Sequence, residues 1–181
     1  MFRFIAGLSL VSAASIAAAA TPSGSTLDAT APWWERVTVT INGDGEAHSC
    51  RFESSLKPNE EQGCDVTSPS SSAPSKLGNS GSKSEFTRLT FERRFTPGPQ
   101  SEPQLPVGDT LLGQQVMALA IGSKGTVEGC EIVATSGEVR PDYGCAEAKA
   151  EKFQASVHSG PMATKQAYMT IIVYGHSEHV V

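Results

Sequence analysis

Gly-Cys-Glu-Ile-Val-Ala-Thr-Ser-Gly (Gly129–Gly137), followed closely by Pro-Asp-Tyr-Gly-Cys (Pro141–Cys145), decides how this chain folds. The two runs lie inside a longer unit from Gln115 to Tyr174. Upstream, Met117, Leu119 and Ile121 alternate with Ala118 and Ala120, the period-2 signature of a half-buried strand. Gly122-Ser123-Lys124-Gly125 supplies a turn. The quoted run then returns as a second strand, with Cys130, Ile132 and Ala134 on its inward face. Asp142 is placed to cap a short helix, because its carboxylate can accept from the free amides of a first turn. Ala146, Ala150 and Phe153 recur at i, i+4 and i+7, one face of that helix. Gly160-Pro161 breaks the chain before a closing strand from Ala167 to Tyr174.

The same pattern occurs earlier. Val37, Val39 and Ile41 alternate with threonines, Asn42-Gly43-Asp44-Gly45 makes a turn, and Cys50 and Phe52 share one face of the next strand. Setting Thr38–Ile41 against Ala118–Ile121 gives an offset of 80 that also lays Cys50 on Cys130. The second cysteine follows 14 residues later in the first copy and 15 later in the second. Phe86 to Phe95 reads as the first copy's closing strand, with Leu89 and Phe91 facing the core and matching Ile171 and Val173 at an offset of 82. Ser68 to Ser84 is serine-rich and reads as a loop. Thr96 to Pro106 holds four prolines and reads as a linker.

Four cysteines allow three pairings. The repeat selects Cys50–Cys64 and Cys130–Cys145, one bridge per copy. Each closes a loop worth about 3 kcal/mol in the chain-entropy model, a large fraction of a small module's stability. Disulfides fit an exported chain. Arg3, the apolar run from Phe4 to Ala20 and the small residues Ala18-Ala19-Ala20 read as a signal peptide, with an uncleaved inner-membrane anchor as the rival. Removing residues 1–20 takes Arg3 from 14 basic residues and leaves 13 against 19 acidic ones, a net charge of −6. Apart from Arg93-Arg94 no basic cluster stands out, which excludes an electrostatic footprint for nucleic acid or an anionic membrane surface.

The stretch from Val116 to Tyr174 resembles the C-terminal domain of the TonB family. The likeness is carried by the glycine turn, Gly129–Gly137, Pro141-Asp142, Cys145, a helix ending in Phe153, Gly160-Pro161 and the last strand. It is closest to a variant with one cysteine in the hairpin and one in the helix. Thr135-Ser136-Gly137 stands where the family has Ser-Ser-Gly, Pro141 where leucine is usual, and Phe153-Gln154-Ala155 lacks the family's proline. The resemblance implies a periplasmic α+β module that binds other proteins. In the family's energy transducers this means pairing with the periplasmic plug segment of outer-membrane transporters. Here the short Pro-bearing linker and cleavable N-terminus argue against direct energy transduction.

The expected architecture is α+β, with two tandem small modules. Each is a three-stranded antiparallel sheet with one disulfide, and the second has a helix packed on its sheet. The expected layout is a signal peptide (1–20), a flexible leader (21–32), a degenerate TonB-C-like module (33–96), a Pro-rich linker (97–109), a TonB-C-like domain (110–176) and a tail (177–181). The expected function is non-enzymatic binding of an outer-membrane or periplasmic protein, without a cofactor. Strand addition is expected at the closing strand, through Ala167, Met169, Ile171 and Val173. The alternatives are a small-ligand-binding or inhibitor protein of the envelope, with Trp33-Trp34 or the serine-rich loop as contact, and an enzyme of unfamiliar type. His158 and the run His176-Ser177-Glu178-His179 offer weak metal ligands, and His48 beside Cys50 is expected to be solvent-exposed. Gly108-Asp109-Thr110 only loosely resembles an aspartic-protease fragment, G-x-S-x-G is missing, and Glu128, Glu131 and Asp142 read as a solvated face and a cap. The mature chain is expected to gain about 4 Da on reduction, one hydrogen for each of four bridged sulfurs, and to lack residues 1–20 by mass spectrometry. An unchanged mass on reduction would contradict the bridged frame.

Overall fold

Alternating β-branched and polar residues make strand β1, Trp33–Ile41, and in the computed structural model it is one of seven strands. The structure describes residues 26–43, 46–58, 62–64, 86–99, 104–155 and 164–177. β2 (Ala47–Ser54), β3 (Gln62–Gly63) and β4 (Arg88–Pro97) follow β1. β5 (Asp109–Ile121), β6 (Val127–Gly137), helix α1 (Cys145–Ala150) and β7 (Lys165–His176) complete the chain. The expected signal peptide, serine-rich loop, Gly160-Pro161, His158 and His179 lie outside the described residues.

The two tandem modules are not separate. All seven strands form one antiparallel sheet in the order β3-β2-β1-β4-β7-β5-β6, because β4 and β7 pair along ten residues, from Arg88↔His176 to Pro97↔Ala167. The α+β expectation, with a helix packed on the second module's sheet, also fails, since the only described helix has six residues. Its N-cap is Gly144, not Asp142, and the Glu147 carboxylate accepts the Gly144 N–H at 2.8 Å. Ala148 is its buried residue, whereas Ala146 and Ala150 are exposed.

The hairpins agree in register. Val39↔Cys50, Thr40↔Ser49 and Ile41↔Ala47 become Leu119↔Cys130, Ala120↔Gly129 and Ile121↔Val127, each shifted by 80, with a bulge at the same place. The turn bonds Asn42 N–H to Glu46 C=O and Gly122 N–H to Thr126 C=O are both 2.9 Å. The closing strands differ from the expected match. Val39 faces Leu89 and Leu119 faces Ala167, an offset of 78 in place of 82. With that offset Arg93 and Ile171 are counterparts, and they are also direct partners across the β4–β7 seam. The two halves are thus disposed about that pair as about a two-fold axis.

Period-2 alternation sends odd-numbered residues of β1, β4 and β7 to one face and even-numbered ones to the other. The first face carries the core: Trp33, Phe95, Met117, Leu119, Met169 and Ile171 pack with Ala148 and Phe153 from the α1 region. Leu27 and Ala29 are buried there too, so the flexible leader expected over 21–32 does not extend to 26–32. Backbone bonds from Leu27 N–H to Lys152 C=O and from Gln154 N–H to Leu27 C=O, both 2.8 Å, strap that segment in place. Gly125 has φ +77° and an added Cβ would lie 1.9 Å from Phe153 O, so the turn admits only glycine where the strap crosses it. Both expected disulfides form, Cys50–Cys64 and Cys130–Cys145. The first holds β3 beside β2, and the second ties α1 to β6.

Phe95 is 1% exposed, stacks on Trp33 at 5.4 Å and meets Phe153 with tilted rings at 5.2 Å. It therefore joins β1, β4 and the segment after α1. Phe95→Ala is expected to destabilise the protein by about 3–5 kcal/mol in urea unfolding. A loss below about 1 kcal/mol would show that the aromatic stack is not a central part of the core.

Candidate functional site

The residues expected to receive a partner strand, Ala167, Met169, Ile171 and Val173, lie on β7, which is hydrogen-bonded to β4 on one side and β5 on the other. Their side chains are buried in the core face. The backbone groups an added strand requires are already paired, so this edge does not exist. The run from Met169 to Tyr174 is almost wholly apolar, the signature of a strand buried on both faces, and that signal was available in the sequence.

Charged residues cluster at several places on the sheet. On the core face, Arg93 donates to Glu35 and Glu151, and to Tyr143 Oη at 3.2 Å. Its guanidinium also sits 5.3 Å from the ring centres of Trp33 and Tyr143. Burial opposes the charge, but Glu35, Tyr143 and Glu151 outweigh it and hold Arg93 cationic. This cluster binds β1, β4 and the chain after α1 together. Every one of its donors and acceptors faces another, which leaves it a structural role.

On the opposite face, Glu92 is 2% exposed and accepts from Arg94 and from Tyr174 Oη at 2.9 Å. Arg36 lies opposite Glu92 in register, its guanidinium 4.0 Å from the centre of the Trp34 ring. Trp33 and Trp34 consequently point to opposite faces and make no shared ligand platform. Arg93 and Arg94, the one basic pair noted in the sequence, divide between the faces for the same reason.

At the end of the sheet, Asp109 and His176 meet through Oδ1 and Nδ1 at 2.7 Å, with Arg88 3.6 Å from the same oxygen. Asp109 and His176 are register partners, β5 to β7, which brings the aspartate of Gly-Asp-Thr beside the first histidine of the final run. An aspartate at Nδ1 orients an imidazole as in general-base pairs. Here no serine, threonine or cysteine side chain among the described residues bonds the ring. Groups of three or more metal-ligating side chains are absent among the described residues. His48, as expected, is exposed.

What remains open is β6. It ends the sheet, and among the described residues nothing pairs with its outer edge. Ile132 and Val133 are 47% and 46% exposed there. Val133 occupies a bulge between Ile132 and Ala134, which turns Ala134 to the face opposite Cys130 and Ile132 and so overturns the expected common inward face. At the other end β3, held by Cys50–Cys64, covers Arg51 and Phe52 of β2. Beside β6, on the face bearing Glu92, a groove of about 320 Å³ crosses three strands, floored by Ala118, Ala120 and Gly129 and walled by Glu131, Gln166 and Tyr168. Sequence reasoning missed both features, because it placed the exposed sheet edge at the closing strand.

Set against protein-family models, characterised proteins and solved structures, the chain matches none. β5, β6, α1 and β7 follow in the order that the TonB-like resemblance implies, but no comparison links the chain to that family.

Burial, reinforced by the Glu92 carboxylate, pushes the Tyr174 phenol up to about 12, and burial raises Tyr143 as well. An unfolded phenol ionises near pH 10. Between about pH 10 and 12 the unfolded state therefore loses a proton that the folded state keeps, and stability that is complete below pH 10 falls as pH rises through 12. Urea midpoints at about pH 9 and 11 should drop further for the wild type than for Tyr174→Phe. Equal drops would show that Tyr174 is not held protonated by the fold.

Proposed function

We propose that the protein is an exported, non-enzymatic binding module of the cell envelope that takes an extended segment of another protein at strand β6. The observation carrying this reading is the edge itself: eleven residues, Val127–Gly137, with no strand paired on the outer side among the described residues. Such an edge recruits a strand through main-chain hydrogen bonds, and side chains on alternate positions select it. Glu128, Glu131 and the Val133 bulge discourage indiscriminate pairing, the devices by which proteins protect an edge from aggregation. A partner must therefore complement acidic positions. Residues 1–20 and the two disulfides support an oxidising, exported setting.

The reading retains the binding mode implied by the TonB-like resemblance and moves it from β7 to β6. It treats the halves as divergent copies, supported by their common hairpin register. Of the two copies, the first has the middle of its edge covered by β3, and the second has no described strand along its edge.

A photo-crosslinking residue at Val133, in the full chain expressed in its own envelope, is expected to label one short segment of a single envelope protein. The same residue at Arg51, where β3 covers the edge, should label nothing specific. Crosslinking at Val133 only to a second copy of this chain, or labelling at Arg51 alone, would contradict the reading.

A further inference from the structure

We propose that the groove beside β6 is an anchor site for an arginine or lysine side chain of the strand that pairs there. This deepens the strand-addition reading and rests on it. The floor residues Ala118, Ala120 and Gly129 and the wall residues Glu131, Gln166 and Tyr168 all lie on one face of β6, β5 and β7. A strand added outside β6 would place alternate side chains on that same face. The one entering opposite Gly129 meets no side chain to hold it back, and can lie inward over the two alanines.

Length decides what fits. Strands are about 4.8 Å apart, so β7 lies about 14 Å from an added strand, and only a long side chain reaches the middle of the groove where Tyr168 extends to meet it. Polarity decides the rest. The alanines give an apolar floor for a methylene stem, the Tyr168 ring gives a face for a cation, and Glu131 gives a carboxylate with no ion pair among the described residues. Long, apolar-stemmed and cationic describes arginine or lysine.

The first half shows that the groove is particular to the second. Positions related by the hairpin offset of 80 and the closing-strand offset of 78 hold Thr38, Thr40, Ser49, Arg51, Arg88 and Thr90. Where the second half has Ala, Ala, Gly and Glu, the first has Thr, Thr, Ser and Arg. Larger side chains stand in place of the small ones and the charge is reversed, so the acidic groove belongs to the second half and lies next to the open edge of β6.

The test uses the full chain with both disulfides formed and two acetylated seven-residue peptides, Thr-Val-Thr-Arg-Thr-Val-Thr and its central-glutamate counterpart. Binding is followed by amide chemical shifts. The arginine peptide is expected to shift β6 amides and the Tyr168 and Gln166 signals, and to bind at least about tenfold more tightly than the glutamate peptide. Glu131→Gln, an exposed change, should weaken the arginine peptide about threefold to fivefold, the scale of a solvent-exposed ion pair. Equal binding of the two peptides with β6 shifted would overturn the anchor and leave strand addition standing. A preference untouched by Glu131→Gln would trace to the chain's overall negative charge and also overturn the anchor. Absence of β6 shifts with either peptide would overturn both.

Discussion

The β4–β7 pairing is the constraint on which the rest of the molecule depends. Ten consecutive antiparallel pairs join a sheet of β3, β2, β1 and β4 to one of β7, β5 and β6. Either half alone would present a long unpaired strand, an edge open to pairing with other chains. Joined, each closes the other's exposed edge. Because Arg93 faces its own counterpart Ile171, the seam has the self-complementary geometry of a two-fold interface, with both sides on one chain.

That seam also fixes where polar chemistry can lie. On the core face it puts Arg93 at the centre, where two carboxylates and a phenol surround it, and removing Arg93 would leave two largely buried carboxylates without their cation. On the other face it sets Glu92 beside Tyr174 and brings Arg88 near the Asp109–His176 pair. These clusters join β1 to β4, β4 to β7, and β5 to β7. They lie on the inner strands β1, β4, β7 and β5, and β6 is left as the place where an open strand edge and an acidic groove lie together.

Much of the local structure was legible in the sequence. Alternation placed β1, β5 and the hairpins, and the matching cysteines identified both disulfides, since hairpin register is set by residues close in sequence. The seam was not legible by the same means, because nothing local states which strand lies beside β4. The apolar run Met169–Tyr174 did hint that β7 is covered on both sides. The helix was overestimated: Asp142 looked like a cap, but the extended backbone at Gly144 starts the helix two residues later and leaves it a turn and a half long. Ala134 was misassigned because one bulged residue, Val133, reverses the alternation after it. The candidate site was missed for a related reason. An edge is a property of the whole strand order, and Glu131 reads as an ordinary solvated residue until Gly129, Ala118 and Tyr168 are seen beside it.

Native-state hydrogen exchange on the full chain measures the central claim, that the two halves are one cooperative sheet held at β4–β7. The account predicts that amides of β4 and β7 around Arg93 and Ile171 exchange slowest, and only through global unfolding, while β6 and β3 exchange through smaller openings. Rapid exchange along β4 and β7 while β1 and β5 remain protected would contradict it, because the halves would then be folding apart.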